Sequence, residues 1–596
     1  MPFKRSLNGG RQYSAVALTW VESVAVAQGI RIQHAVNGGE VAVEGRQVDG
    51  YHHDSGTIYE FHGCFFHGCP RCYPNRTTTN AVSKRTMEEL YQATQHRENQ
   101  LQGYNLVTMW ECDFMATVKQ QPPLQARLAY WKQQGPLEPR DAFFGGRTNA
   151  IRLFYEPSAD EEIRYVVFTS LYPYCNKYKK LPVGHPQVLL GEDIPDRVEG
   201  LLKCKVLPPK QLFHPVLPAR IGGKLKFTLC RTCALQGWQE ECRHSDEERA
   251  LTGTWVSVEI EKAVEMGYTL VEKYEALHYT EVEVYDPATK QGGLWAGYVD
   301  KFLKLKQEAS GYPEGCETEE AKQKYVDEYY QQEGIQLDPS NIKYNKSLRE
   351  LSKLMLNSHW GKFGQNPQKS QTVYVDEPKQ YVELMTSGDK EVQNLTIVND
   401  TMILLKYKLK EDFVEMLPNT NVVLACYTTA HARLKLYELL EKLEDRVLYM
   451  DTDSVVYIHK SDASYNPPLG DYLGELKDET NGIPITSFVS AGPKNYAYRL
   501  QDGSSVCKVK GFSLNHRASL QLNFDSMKEI VTTNPTATIE VTAPNALVRK
   551  NRDIFTTAQT KTYKLVYDKR RLLEDLTTLP FGWRTEEPSA KRRRLH

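Results

Sequence analysis

At 596 residues and 68.3 kDa the chain is longer than one hydrophobic core can hold, since single cores stop growing at roughly 250–300 residues. A composition of 40% hydrophobic and 25% charged residues is globular and excludes collagen-like, coiled-coil or wholly disordered chains. With 74 Lys+Arg against 75 Asp+Glu the net charge is −1, so any surface for a polyanion must be local.

Along the chain, Met1–Gly10 carries Lys4 and Arg5 with no apolar stretch behind them, so a secretory signal is not expected. No uncharged apolar run approaches ~18 residues, and no membrane span is expected. Helical spacing over Ser14–Ala27 (Ala17, Leu18, Val21, Val24, Ala25) precedes short strands near Glu40–Val48 and Thr57–Phe61. A second helix is predicted over Met87–Leu101 and an apolar strand over Leu106–Trp110, so residues 1–118 read as a small α/β domain. The Pro/Gln-rich stretch Gln120–Gln125 reads as a linker, taken as residues 119–140. No comparable break follows.

Twelve cysteines without a secretory signal point to a reducing compartment, where clusters mean metal or chemistry more often than disulfides. Cys64, Cys69 and Cys72 form one group. Cys230, Cys233 and Cys242, with His244, form another, in which the first pair has a zinc-knuckle spacing.

Three motifs carry chemistry. Tyr449-Met450-Asp451-Thr452-Asp453-Ser454 lies between strand-like runs, a hairpin with two carboxylates at its tip. Acids that close repel unless a divalent cation sits between them, and oxygen ligands suit Mg²⁺. Upstream, Arg164–Phe168 is a predicted strand running into Ser170-Leu171-Tyr172-Pro173. Between these, Arg349, Lys353 and Asn357 fall at i, i+4, i+8 on a predicted helix, one cationic stripe suited to a triphosphate. Leu348, Leu351 and Met355 supply an adjacent apolar stripe for packing.

Together these resemble the family B DNA polymerases, with their SLYP, K-x-x-x-N-S-x-x-G and Y-x-D-T-D-S motifs in the same order. Phe143-Phe144-Gly145-Gly146 resembles the Y-x-G-G template motif of the protein-primed group found in viruses, linear plasmids and Polinton/Maverick-type elements. Lys494-Asn495-Tyr496 resembles that group's K-x-Y primer motif, and Val183-Gly184-His185-Pro186 is also similar. The resemblance covers roughly residues 140–570 and implies an α+β right-hand polymerase. Its parts would be a first palm portion with an insertion over 141–340, fingers over 341–370, a second palm portion over 371–505 and a thumb over 506–586. It implies DNA template, primer and dNTPs as partners, with a terminal priming protein, and two Mg²⁺ ions. Asp451 and Asp453 would be the catalytic metal ligands. Ser170, Leu171, Tyr172, Arg349, Lys353 and Asn357 would bind nucleotide, with Tyr172 excluding a 2′-OH. Gly145, Gly146, Lys494 and Tyr496 would contact template and primer. No acidic exonuclease motif precedes Phe143, so proofreading is expected to be missing.

One departure matters. The family's first palm motif has Asp three residues before the Ser of SLYP, and here that residue is Val167. Asp160, Glu161 and Glu162 lie ~15–25 Å back along a strand at ~3.3 Å per residue, too far to substitute. Polymerisation is therefore expected to be impaired.

The N-terminal segment has Asp49, then Glu60-Phe61-His62, the order of a PD-(D/E)XK nuclease. His62-Gly63-Cys64-Phe65-Phe66-His67 and Trp110-Glu111-Cys112 resemble very-short-patch-repair endonucleases. That resemblance implies a restriction-endonuclease-like domain with structural Zn²⁺ on Cys64, Cys69, Cys72 and Cys112 and nuclease residues Asp49, His62 and His67, with Glu22 a further candidate. The set Cys230, Cys233, Cys242 and His244 is a second candidate Zn²⁺ site. Besides the polymerase reading, a metal-dependent endonuclease and a catalytically inactive, zinc-stabilised DNA-binding relic of a mobile element stay open. Lys591-Arg592-Arg593-Arg594 in the 587–596 tail reads as a nuclear localisation signal, with cytoplasm or mitochondrion as the alternative addresses.

Overall fold

A computed structural model describes residues 14–35, 40–80, 82–134, 137–366, 368–410, 420–550 and 553–585. The basic tail lies outside them. Among the described residues no helix is long and apolar enough to cross a membrane.

The N-terminal unit is a mixed four-stranded sheet with two helices in the expected places, Ala15–Gln28 and Met87–Gln100. Thr86 caps the second helix reciprocally with Glu89, so both end donors are satisfied without tertiary help. That helix is the crossover between the parallel strands Thr57–His62 and Asn105–Trp110. Residues 119–140, read as a linker, are largely a helix, Pro122–Gln134, lying on the first helix. Trp131 Nε1 donates to Glu22 at 2.8 Å, and two prolines at the start are tolerated because first-turn amides have no partner to lose.

The central sheet is antiparallel along the strand order 505–509, 495–500, 485–492, 161–168, 454–460, 447–451, 148–150. Its organising helix is Val422–Leu443, capped by Asn421 and buried on nearly every face, as a helix apolar all round must be. Leu436, Leu439 and Leu440 pack on Val166, Phe168 and Val455 of the sheet. Val423, Tyr427 and Ala430 pack on Leu201, Val256 and Leu277 of an inserted four-stranded sheet. The opposite face of the central sheet (Tyr165, Phe488, Tyr496) packs on Phe524, Met527 and Ile530 of the helix Phe524–Thr532.

Three expected boundaries move. The fingers helix Lys346–Phe363 packs on Ala296–Glu308, which the sequence places in the first palm portion; the two form one helical unit. Residues 371–409 are not palm but a separate three-stranded sheet, 371–375, 402–409 and 390–399, with its own small core of Val375, Leu405 and Tyr407. Residues 571–585 leave the thumb and return across the palm to the insertion.

Candidate active site

The hairpin forms as expected: Val447–Asp451 pairs with Ser454–Lys460, and Thr452 makes the turn at φ +60. The strand Glu161–Phe168 pairs with the second hairpin strand, Val167 opposite Ser454, and Phe168 N–H donates to the Asp453 carbonyl at 2.7 Å. The position where the family carries aspartate therefore abuts the hairpin tip, and Val167 puts two methyls there. On its other side Val167 faces Lys477 across the ladder. Asp451 accepts from Thr148 Oγ1 at 2.7 Å and from Lys494 Nζ at 2.8 and 3.0 Å. Burial, reinforced by Asp451, pushes the Asp453 carboxyl above its usual range.

Gly146 runs so close to the turn that a Cβ would lie 2.5 Å from Thr452 Oγ1, whereas Gly145 has open space. The loop is held by a buried ion pair: Arg433 forks onto Glu259 at 2.9 and 3.0 Å and donates to the Phe144 and Gly145 carbonyls at 2.7 and 3.1 Å. Phe143 itself packs against Gly364 and near Trp360, tying the loop to the fingers helix.

Ser170 takes the left-handed conformation (φ 50) and starts the helix Leu171–Tyr178, so its first-turn amides face the same cleft. Leu171 is buried in the core, so only its backbone is offered to the cleft. Tyr172 stacks under Trp360 of the fingers helix, centroids 4.6 Å apart. Lys353 and Asn357 are exposed on that helix as predicted. Its packing face differs from expectation: Ser352 and Leu356 are buried, while Leu348 and Leu351 are exposed, because the helix leans on Ala296–Glu308 along the other side.

Sequence reasoning missed two residues here. Lys306, on Ala296–Glu308, is half-buried with Nζ 3.5 Å from Ser170 Oγ. Burial first, then Arg349 and Lys353, pull its amine below the usual lysine value, with Lys477 adding to the effect. Lys306 thus stands beside the helix start within electrostatic reach of Arg349, Lys353 and Lys477, a field that polyphosphate relieves. Lys306 carries no local motif, and only its packing beside Arg349 reveals it. Trp360 is visible in sequence, inside the fingers motif, but its stacking on Tyr172 is tertiary. Tyr496 is also not where a DNA contact is expected: it is 4% exposed and bonds Tyr165 through their hydroxyls at 3.0 Å, while Lys494 N–H donates to the Tyr449 hydroxyl at 2.8 Å.

Among the described residues two groups bring three or more Cys, His, Asp or Glu ligand atoms within 4.8 Å of one another: Cys64, Cys69, Cys72, Cys112 and Cys230, Cys233, Cys242, His244. Both are sets that the sequence singled out. The Asp451–Asp453 pair gathers no third ligand of this kind. Near the first cysteine group, Asp49 accepts from Phe61 N–H at 2.7 Å, and burial raises its carboxyl. Glu60 is pushed up to about 7 by burial, against the pull of Arg97 at 2.6 Å. His62 is buried, its Nε2 2.7 Å from Glu98 and its Nδ1 without a partner, and its ring lies 4.8 Å from that of His67. Burial lowers both imidazoles to about 4, so both are neutral at pH 7. Glu22, the further candidate, is engaged with Trp131 and Arg127 instead.

A carboxylate hairpin, a cluster of cations beside a helix N-terminus and a stacked Tyr–Trp pair thus lie together at the edge of an antiparallel sheet. The model of type B DNA polymerases, organellar and viral, matches residues 138–325 and 316–445, together just over half of the chain. The chain belongs to this family. It is 25% identical over 393 residues to a protein described as "Probable DNA polymerase" of Neurospora intermedia, covering 62% of this chain and 32% of that one. It is 35% identical over 163 residues to the DNA-directed DNA polymerase of Enterobacteria phage PRD1, covering 27% and 26%. The matches thus span about a third or less of each relative. Among solved structures it is similar to phi29 DNA polymerase in a ternary complex with primer–template DNA and incoming nucleotide, at 17% identity and TM-score 0.45 over 72% of this chain and 62% of that one.

Proposed function

We propose that the chain binds a DNA primer–template with an incoming dNTP in this cleft and that its nucleotidyl transfer is crippled by Val167. The observation that carries the reading is that the strand bonded to the Asp453 hairpin tip runs straight into Ser170, beside which Lys306 stands within electrostatic reach of Arg349 and Lys353. The donor set fits one hard divalent cation, since Asp451 and Asp453 supply carboxylate oxygens. It does not fit the shared pair of ions, because Val167 offers no oxygen and Lys477 stands across from it. Asp451 and Asp453 would hold a Mg²⁺ ion, which would supply charge neutralisation for a triphosphate and acidify a primer 3′-hydroxyl. The chain's own residues do the rest: Lys306, Arg349 and Lys353 hold the triphosphate, Tyr172 under Trp360 limits the sugar, and Arg433 fixes the template loop. Priming by a terminal protein fits the resemblance to the protein-primed group. Primer extension with Mg²⁺ or Mn²⁺ beside a primer–template binding titration tests this: tight, dNTP-enhanced binding with feeble extension is expected. Robust processive synthesis, or failure to bind, refutes it.

A second reading concerns residues 14–118. We propose an endonuclease-like domain in which Zn²⁺ on Cys64, Cys69, Cys72 and Cys112 is structural. Cys69 and Cys112 sulfurs are 3.9 Å apart, against about 3.8 Å for two thiolates on one tetrahedral zinc. Asp49 and Glu60 would supply the carboxylates for a divalent cation, Glu60 exchanging Arg97 for it, with His62 and His67 beside them. Nicking of plain or mismatched duplex that is lost in Asp49→Ala supports cleavage; equal nicking by both refutes it. Nuclear entry directed by Lys591–Arg594 is proposed on the same footing, tested by relocating a fluorescent fusion when those four residues are replaced.

A further inference from the structure

The second Cys/His group lies in the insertion carried by the first palm portion, residues 230–244. Cys230 begins the short helix Arg231–Gln236, whose first turn also carries Cys233; a loop brings back Cys242 and His244. The three sulfurs stand 3.6, 3.2 and 3.7 Å from His244 Nδ1. Tetrahedral zinc with ordinary bond lengths sets sulfur–nitrogen edges of about 3.6 Å. All three cysteines are buried, and none is in a disulfide.

What covers this group is the last described stretch of the chain. Beyond the thumb hairpin, formed by 538–550 and 553–564, the chain turns back: Tyr567 OH donates to the Ala150 carbonyl at 2.7 Å, and buried Arg570 donates to the Phe213 carbonyl at 2.9 Å. Leu153 N–H donates to Leu576, and Thr578 Oγ1 to Ile151. The segment then crosses the cysteines. Phe581 is buried among Cys230, Cys233 and Cys242, and Leu229 N–H donates to its carbonyl at 2.8 Å. Gly582 (φ +94) passes so close that a Cβ would lie 2.5 Å from Cys230 Cβ. Cys242 N–H donates to Trp583, and the Arg584 guanidinium lies 3.8 Å from Cys242 Sγ while bonding the His244 carbonyl. Three thiolates and a neutral imidazole on a dication leave one net negative charge, which Arg584 is placed to offset. The residues that the segment grips, Ile151 and Leu153, continue from strand 148–150, whose Thr148 bonds Asp451.

We propose that Cys230, Cys233, Cys242 and His244 bind one Zn²⁺ and that the loaded site is a clasp for residues 571–585, fastening the root of the thumb to the palm. The metal shapes the 230–244 loop, the loop buries Phe581 and holds Arg584, and the segment they anchor closes the path from thumb hairpin to palm. This does not depend on whether the chain synthesises DNA.

The test uses the full chain. Metal content by mass spectrometry should fall by one zinc per chain in Cys233→Ser/Cys242→Ser. Peptide-resolved hydrogen exchange should show residues 571–585 opening about tenfold faster after zinc is stripped from the unaltered chain, and recovering on readdition. Release at the N-terminal cysteine group reports in its own peptides and is read separately. Phe581→Ala, which leaves every ligand, should keep its zinc yet speed exchange of the same segment. If the double variant does not fold, stripping and readdition on the unaltered chain decide the matter. Unchanged zinc content in the double variant, or zinc loss that leaves 571–585 as protected as before, overturns the proposal.

Discussion

Restoring the missing palm carboxylate, Val167→Asp, probes the cleft most directly. The side chain is half-buried on a central strand, with Ser454 on one side and Lys477 on the other. Placing a carboxylate there without a cation sets it beside Asp453, whose own carboxyl already resists ionisation. Two like charges ~5 Å apart at an effective dielectric of about 20 repel by about 3 kcal/mol, which Lys477 offsets in part. A net destabilisation of about 1–3 kcal/mol in metal-free buffer is therefore expected. Mg²⁺ should reverse it, raising Tm more in the variant than in the unaltered chain. If the rest of the site is intact, recovering one charge-stabilising group increases the rate of transfer by about 10²–10³, equivalent to about 3–4 kcal/mol of barrier. Single-turnover incorporation of one nucleotide, measured for Val, Asp and Asn at this position, reads the effect. A Val167→Asp chain that gains Mg²⁺-dependent stability yet extends no faster than the unaltered one refutes the reasoning.

Other consequences follow from buried and half-buried charges. Lys306→Ala should weaken dNTP binding to the DNA complex about tenfold, as loss of one charge-assisted contact does. Because its amine titrates below the ordinary lysine value, affinity in the unaltered chain should decline on the alkaline side earlier than in Lys306→Arg, by titration calorimetry. Glu259→Ala leaves Arg433 buried and unpaired, and should cost about 3–5 kcal/mol in denaturant melts; under 1 kcal/mol contradicts the role given to the pair. Glu60, at about 7 against an ordinary 4.5, holds its proton more tightly folded than unfolded. Its contribution is fully present below about pH 4.5 and lost as pH rises through 7, about 3 kcal/mol in all. Glu60→Gln should therefore stabilise the N-terminal domain at pH 8 and not at pH 4, unless a divalent cation is present.

Local chemistry was enough to place the hairpin with Asp451 and Asp453, the helix stripe of Lys353 and Asn357, both Cys/His sets and the vacancy at Val167. In each case the signal sits within a few residues: turn chemistry, a 3.6-residue period or a ligand spacing. Only tertiary packing could assign Lys306, since its meaning comes from Arg349 and Lys353 more than forty residues away. The same holds for Tyr496, whose burial depends on Tyr165 from a distant strand, and for Leu348 and Leu351, whose helix chose another face to bury. Residues 119–140 misled for a related reason: proline and glutamine read as a linker until the first helix offers Pro122–Gln134 an apolar surface. Periodicity shows which residues could be buried together; only the folded chain shows which neighbour buries them and which charges are left facing one another.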